Sequence, residues 1–152
     1  GGKTAVDLAS GKNLVGAFHM PALVVCDPDT LKTLPEEYFF DGMAEVIKMG
    51  FIGNPDLIST LEGNINEKIE EVIASCVQDK VDIVAHDTFD NGERQKLNLG
   101  HTVGHAIEAL SEYKIHHGCA VAAGMHIVAK AASLRGICGK DTVEKRPSGR
   151  TK

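Results

Sequence analysis

Leu97-Asn98-Leu99-Gly100-His101-Thr102-Val103-Gly104-His105-Ala106-Ile107-Glu108 decides how this chain is read. His101 and His105 stand four residues apart, so on a helix they lie one above the other with both rings turned to one side. Glu108 falls on the same face a turn later. Gly100 and Gly104 let a ligand or a second helix approach the backbone. Further along comes His116-His117-Gly118, and upstream stands Glu45 in Met43-Ala44-Glu45-Val46-Ile47-Lys48. Imidazoles with a carboxylate are the donor set of a divalent metal with a position kept for substrate. A His-x-x-x-His pair also occurs on ordinary packed or solvated helix faces, so spacing alone leaves both readings open.

The 152 residues suit one domain of the soluble globular class, with 43% apolar and 24% charged residues. A net charge of −5 and the lack of a basic stripe argue against a nucleic-acid partner. The basic cluster Lys145-Arg146-Pro147-Ser148-Gly149-Arg150-Thr151-Lys152 reads as a disordered tail. No apolar run approaches the ~18–20 residues of a membrane span, and no apolar leader core follows Gly1-Gly2-Lys3-Thr4, so a cytoplasmic protein is expected. Cys26, Cys76, Cys119 and Cys138 lack any Cys-x-x-Cys spacing, which predicts reduced, mostly buried thiols rather than disulfides or a thiolate zinc site. Cys119 alone, beside His117-Gly118, has a neighbour that bears on its chemistry.

Residues 1–34 are glycine-rich and carry one β-like run, Ala22-Leu23-Val24-Val25-Cys26, between Pro21 and Asp27-Pro28-Asp29. Asp29 is expected to cap a short turn through Leu31-Lys32-Thr33-Leu34. From Pro35 the pattern is helical. Pro35-Glu36-Glu37 suits a first turn, and Phe40, Met43, Ala44, Ile47 and Phe51 make an apolar stripe. Pro55-Asp56 opens a second helix with Leu57, Ile58 and Leu61 inward. A third runs from about Asn66 to Ala85 with Ile69, Val72, Ile73, Cys76, Val77, Val81 and Val84 inward. The loop 86–92 is polar, the histidine motif forms a helix, and another spans Gly118 to Arg135, ended by Gly136. His19 and His86 fall in loops and His126 on an apolar helix face, all three as ordinary histidines. The fold class is mainly α, with a small α/β piece at the front and a disordered tail over 141–152.

Two readings of Glu45 stand side by side. Either it forms a surface pair with Lys48, worth a few tenths of a kcal/mol, or it is a buried carboxylate that needs a cation. Lys3, Lys12, Lys48, Lys80 and Arg94 would make an anion site if one cleft gathered them, and are solvated surface cations if not.

In order and spacing, several segments resemble the 3-dehydroquinate synthase family. They are Gly-Gly-Lys-Thr at 1–4, Gly-Lys-Asn-Leu-Val-Gly-Ala-Phe at 11–18, Leu-Lys-Thr-Leu-Pro at 31–35, Gly-Met-Ala-Glu-Val-Ile-Lys at 42–48, residues 97–108, and His-Gly-Cys-Ala-Val-Ala-Ala-Gly-Met at 117–125. The resemblance implies an α/β NAD-binding domain followed by a helical metal-binding domain, the architecture shared with iron-dependent alcohol dehydrogenases. Residues 1–34 would then be the end of the first domain and 35–140 part of the second.

The resemblance also reassigns the histidine pair. It implies zinc or cobalt held by Glu45, His101 and His117, with His105 assisting proton transfer. It further implies substrate contacts from Lys48, Lys80, Asp90, Arg94 and Asn98, and an NAD site lined by Lys3, Lys12, Asn13, Thr30, Leu31, Lys32 and Thr33. The implied reaction converts 3-deoxy-D-arabino-heptulosonate 7-phosphate into 3-dehydroquinate and phosphate, a carbon–oxygen lyase step of the shikimate route to chorismate and the aromatic amino acids. The chain departs from the family in Cys119, where a glutamate is usual, and in Thr88 and Asp90, where glutamates are common. It opens after the family's glycine-rich nucleotide turn, so an inactive fragment is expected, one that self-associates as the family's dimer does or joins the missing domain. Alternatives are a related sugar-phosphate cyclase, a metal-dependent polyol dehydrogenase, or a non-catalytic helical metal-binding remnant.

Overall fold

A computed structural model describes residues 1–139 and 141–144 of the chain. It begins with an antiparallel hairpin, β1 (Lys3–Leu8) and β2 (Gly11–Phe18), in the register Lys3↔Phe18, Ala5↔Gly16 and Val6↔Val15. Five helices follow: α1 (Glu36–Ile52), α2 (Pro55–Leu61), α3 (Ile69–His86), α4 (His101–Leu110) and α5 (His117–Leu134). A four-residue helix, α6 (Asp141–Glu144), comes last, and short 3-10 turns lie at Pro28–Thr33, Ile65–Glu67 and Glu93–Asn98. The fold is mainly α with a two-stranded sheet.

Local chemistry explains the boundaries. Pro35 precedes α1, and Glu36 and Glu37 meet the positive end of its dipole. Asn54 accepts from Leu57 N at 3.3 Å to cap α2, while its amide donates to Ser75 Oγ at 2.8 Å and Asp79 Oδ2 at 2.7 Å on α3. Gly136, at φ +71°, takes the left-handed position that ends α5.

Several expectations need correction. Residues 22–26 form no strand and are largely exposed, with Leu23 at 78% and Val25 at 78%. A strand needs a neighbour for its backbone groups, and the two stretches that meet are β1 and β2, which are exposed on both faces and so carry no apolar alternation. Asp27, not Asp29, caps the 28–33 turn, its carboxylate accepting from Asp29 N at 3.0 Å. The stripe on α1 is half open, since Phe40 and Phe51 are exposed while Ala44, Lys48, Met49 and Gly50 are buried. Val77 and Val81 of α3 are also exposed; Val72 and Val84 are the buried pair, because only part of that helix meets a neighbour. α3 starts at Ile69, after the 65–67 turn. His86 is its last residue rather than a loop residue, and His126 lies on an exposed face of α5. Cys26 and Cys119 are exposed and Cys76 and Cys138 half-buried, so the thiols are free but not mostly buried. The expected disordered tail begins with the helical turn 141–144, and 145–152 lie outside the described residues.

Met49, Leu57 and Val72 form the core of α1–α3, with Val46, Ile52, Leu61, Ile65, Cys76 and Leu97 packed around them. A second contact, α4 against α5, runs through small residues. A Cβ on Gly104 would lie 3.1 Å from Val121 Cα, and one on Gly124 or Gly118 would overlap the carbonyl of Gly100 or Asp41. Backbones this close bring the starts of α4 and α5 beside the middle of α1.

Candidate metal centre

Three elements converge on one point. Glu45 projects from the third turn of α1, His101 opens α4, and His117 opens α5. Gly100 precedes His101 at φ +80°, a backbone shape that turns the chain sharply into α4 and that a side chain would resist. Glu45 uses its two oxygens differently. Oε2 accepts from Lys48 Nζ at 2.6 Å, whereas Oε1 is buried without a hydrogen-bond partner. Oε1 faces His101 Nε2 at 3.6 Å and His117 Nε2 at 3.7 Å. The Lys48 pairing is present but is not a surface pair, since Lys48 is buried, and it occupies only Oε2, which leaves Oε1 open to a cation.

The histidines are oriented from behind. His101 Nδ1 lies 3.2 Å from Leu99 O, and His117 Nδ1 lies 3.2 Å from Glu108 Oε2. Both partners only accept, so both Nδ1 atoms carry the proton and both Nε2 lone pairs point to Glu45. Burial holds the His101 imidazolium below the usual histidine range, opposed by the Leu99 hydrogen bond and helped by Lys48, so the ring is neutral near pH 7. Ligands of a tetrahedral zinc at ~2.0–2.1 Å sit roughly 3.4 Å apart, close to the 3.6 and 3.7 Å from Oε1 to the two Nε2 atoms. The unpartnered Oε1 and the two Nε2 atoms that face it fit a divalent cation.

His105 is exposed, and its ring lies 5.4 Å from that of His101 and 6.0 Å from that of His117. Asp90 and Asn98 line one cavity of about 610 Å³ with Gln95, Lys96 and Thr102. Asp90 pairs with Lys3, so the hairpin reaches this loop. Arg94 is buried and donates to Thr88 O at 2.6 Å and to Gly1 O, so it clamps backbone rather than presenting its fork to a ligand. Lys80 is exposed on α3, its Cε 3.5 Å from where a Cβ on Gly1 would stand.

The residues expected around NAD are dispersed. Lys12 sits 4.2 Å above the Tyr113 ring and 4.0 Å from Glu108 Oε1, while Asn13 N donates to Asp7. The hydroxyls of Thr30 and Thr33 donate to Asp27 O and Thr30 O, and Lys32 pairs with Asp29 at 2.7 Å. Leu31 and Lys32 line a cavity of about 650 Å³ that Lys3, Lys12 and Asn13 do not share, so the set forms no single cradle among the described residues.

One residue escaped the sequence reading of the site. Asp41 Oδ1 accepts from Cys119 N at 2.9 Å and pins the start of α5. It stands one helical turn before Glu45, the only signal for it. Glu108, which the sequence already places on the histidine face, belongs to a second donor group with His105 and His117.

Known proteins resemble this chain in sequence and fold. The family description "3-dehydroquinate synthase C-terminal" matches residues 42–148, and "3-dehydroquinate synthase N-terminal" matches residues 1–41. The chain belongs to the 3-dehydroquinate synthase family. A curated 3-dehydroquinate synthase of Clostridium perfringens (strain 13 / Type A) is 49% identical over 151 residues, 95% of this chain and 43% of the relative. That of Paenarthrobacter aurescens (strain TC1) is 45% identical over 137 residues, 86% and 38% respectively. The chain thus spans less than half the length of these 3-dehydroquinate synthases.

Solved structures of related cyclases superpose closely. 2-Deoxy-scyllo-inosose synthase complexed with carbaglucose-6-phosphate, NAD+ and Co2+ gives a TM-score of 0.83 at 32% identity, covering 93% of this chain and 41% of that one. ValA, the 2-epi-5-epi-valiolone synthase of Streptomyces hygroscopicus subsp. jinggangensis 5008 with NAD+ and Zn2+ bound, gives 0.82 at 25%, covering 94% and 42%.

Proposed function

We propose that this chain carries the metal- and substrate-binding part of a cytoplasmic 3-dehydroquinate synthase. In this reading, residues 1–34 are the end of its NAD-binding domain and 35–140 the helical domain. The whole protein would convert 3-deoxy-D-arabino-heptulosonate 7-phosphate to 3-dehydroquinate and phosphate, using NAD and one zinc or cobalt ion. The observation that carries the reading is the buried Glu45 Oε1, unpartnered and facing two Nε2 lone pairs, in a member of this family. The NAD requirement rests on the related cyclases, whose structures hold NAD+.

Glu45, His101 and His117 would hold a divalent ion, which would supply Lewis acidity toward an alcohol or carbonyl oxygen. His105, exposed beside that point, is suited to take and return a substrate proton. Lys48 keeps Glu45 fixed through Oε2, leaving Oε1 toward the ion. Asn98 and Asp90 offer a donor and an acceptor to hydroxyls in their shared cavity, and Lys80, exposed on α3, is a cation open to an anionic group of the substrate. Much of the rate would come from holding the sugar phosphate in one geometry.

The 152 residues alone are expected to take up metal without turnover. Fused behind the NAD-binding domain of the Clostridium perfringens relative, they should release phosphate from the heptulosonate phosphate in an NAD-dependent reaction and leave glycerol untouched. Oxidation of glycerol but not of the sugar phosphate would favour a polyol dehydrogenase. Turnover of a different sugar phosphate alone would favour a sister cyclase. Steady phosphate release by the unfused chain would overturn the incomplete-site part of the reading.

A further inference from the structure

Glu108 is buried, at 6% exposure, and the chemistry outlined above makes no use of its carboxylate. A carboxylate removed from water needs partners, and the described residues provide two. Its Oε2 lies 3.2 Å from His117 Nδ1, and its Oε1 lies 4.0 Å from Lys12 Nζ on the hairpin. The residue itself cannot swing freely. Its carbonyl accepts from Tyr113 N at 2.8 Å and Ser111 Oγ at 2.9 Å, which anchors the end of α4. Tyr113 in turn carries Lys12 over its ring at 4.2 Å.

We propose that Glu108 is a positioning residue for the metal centre: it fixes His117 as the Nδ1–H tautomer that turns Nε2 toward Glu45, and through Lys12 it ties the hairpin to that ligand. The inference rests on the reading of Glu45, His101 and His117 as the ligand set. A free neutral imidazole prefers its proton on Nε2, which here would aim an N–H at Glu45 and leave no lone pair for a cation. An acceptor behind Nδ1 reverses that preference, as carboxylates do behind metal-bound histidines. Leu99 O performs the same service for His101 with a neutral carbonyl; Glu108 does it with a charge that Lys12 balances from the other side. By itself the hairpin is a two-strand ribbon of marginal stability, and of its ties to the helices, Lys3 to Asp90, Phe18 to Phe89 and Lys12 to Glu108, the last is the one that leads to a ligand. The competing arrangement is Glu108 as a ligand itself, with His105 and His117. It would leave Glu45 Oε1 buried and unsatisfied, which disfavours it.

The test reads the tautomer and the metal separately. Nitrogen chemical shifts of the histidine rings, taken on the metal-free chain at about pH 8 where imidazoles are neutral, should show His117 protonated at Nδ1. Glu108→Ala should move it to the Nε2–H form, and Glu108→Gln, whose amide oxygen still accepts, should keep it largely at Nδ1. Chelator competition with Zn2+ should show Glu108→Ala about 10- to 100-fold weaker than wild type, with Glu108→Gln rescuing part of the loss. Lys12→Met, on the exposed hairpin, should weaken Zn2+ about 1.5- to 5-fold, as one exposed ion pair would.

If Glu108→Ala does not fold, Glu108→Gln and Lys12→Met still decide the matter by the same two readouts. An Nε2–H tautomer for His117 in the wild-type chain overturns the proposal, as does unchanged zinc affinity in folded Glu108→Ala. A cobalt spectrum assigning the ion to Glu108, His105 and His117 also overturns it. Negligible zinc in the wild type would instead remove the metal reading, while the tautomer in the metal-free chain would still report on Glu108.

Discussion

Glu45 divides its two oxygens between a buried lysine and an open coordination point, and substitutions there separate the two roles. Glu45→Gln keeps the volume but removes the charge beside Lys48, which is 4% exposed. Stability should fall by about 1–3 kcal/mol. Zinc affinity should fall with it, and thermal melts with and without Zn2+ measure both. A second residue-scale prediction concerns Asp87, whose carboxylate accepts from the backbone N–H of Asn91 at 2.9 Å, Gly92 at 2.7 Å and Arg94 at 3.0 Å. The Asn91 bond, with those to Arg94 and Gly92, holds the acid below its usual value. A carboxyl lowered on folding stabilises the native state above about pH 4, and the contribution fades as pH falls through the folded value. The melting temperature of wild type should exceed that of Asp87→Asn at pH 7, and the gap should close below pH 4. The histidines and Glu45 were legible in the sequence because helical spacing and the quoted segments mark them. The split use of Glu45's oxygens was not, since it depends on where Lys48 is buried.

At the scale of elements, the centre depends on how closely α5 approaches α4 and α1. A Cβ on Gly118 would strike the Asp41 carbonyl, and one on Gly124 the Gly100 carbonyl. Gly118→Ala and Gly124→Ala should each destabilise by about 1–3 kcal/mol and displace His117 or His101 from Glu45, lowering metal affinity. Gly42, inside α1 with no atom within 4 Å of its would-be Cβ, is the control; Gly42→Ala should stabilise by about 0.5–1 kcal/mol. The helices were legible from apolar periodicity and their caps. The hairpin was not, because strands exposed on both faces carry no alternation, whereas the apolar run 22–26 carries a strand's composition without a partner strand.

At the scale of the whole molecule, Leu23, Val24, Val25, Phe40 and Phe51 leave a large share of their apolar surface in water. Exposed apolar area of that kind favours contact with another surface. Sedimentation of the 152-residue chain should show association that grows with concentration, and Val24→Lys should weaken it; a clean monomer across the range would contradict this. Membership of the family was legible from the order of its segments, while which side chains hold the hairpin to the helices (Lys3 to Asp90, Lys12 to Glu108, Phe18 against Phe89) needed the fold.

The central claim, that Glu45, His101 and His117 form one metal site, is tested most directly by titrating Zn2+ or Co2+ into the metal-free chain and its His101→Ala variant. The account predicts one equivalent bound by the wild type and affinity at least about 10-fold weaker in the variant. Equal uptake by both, or none by either, would contradict it.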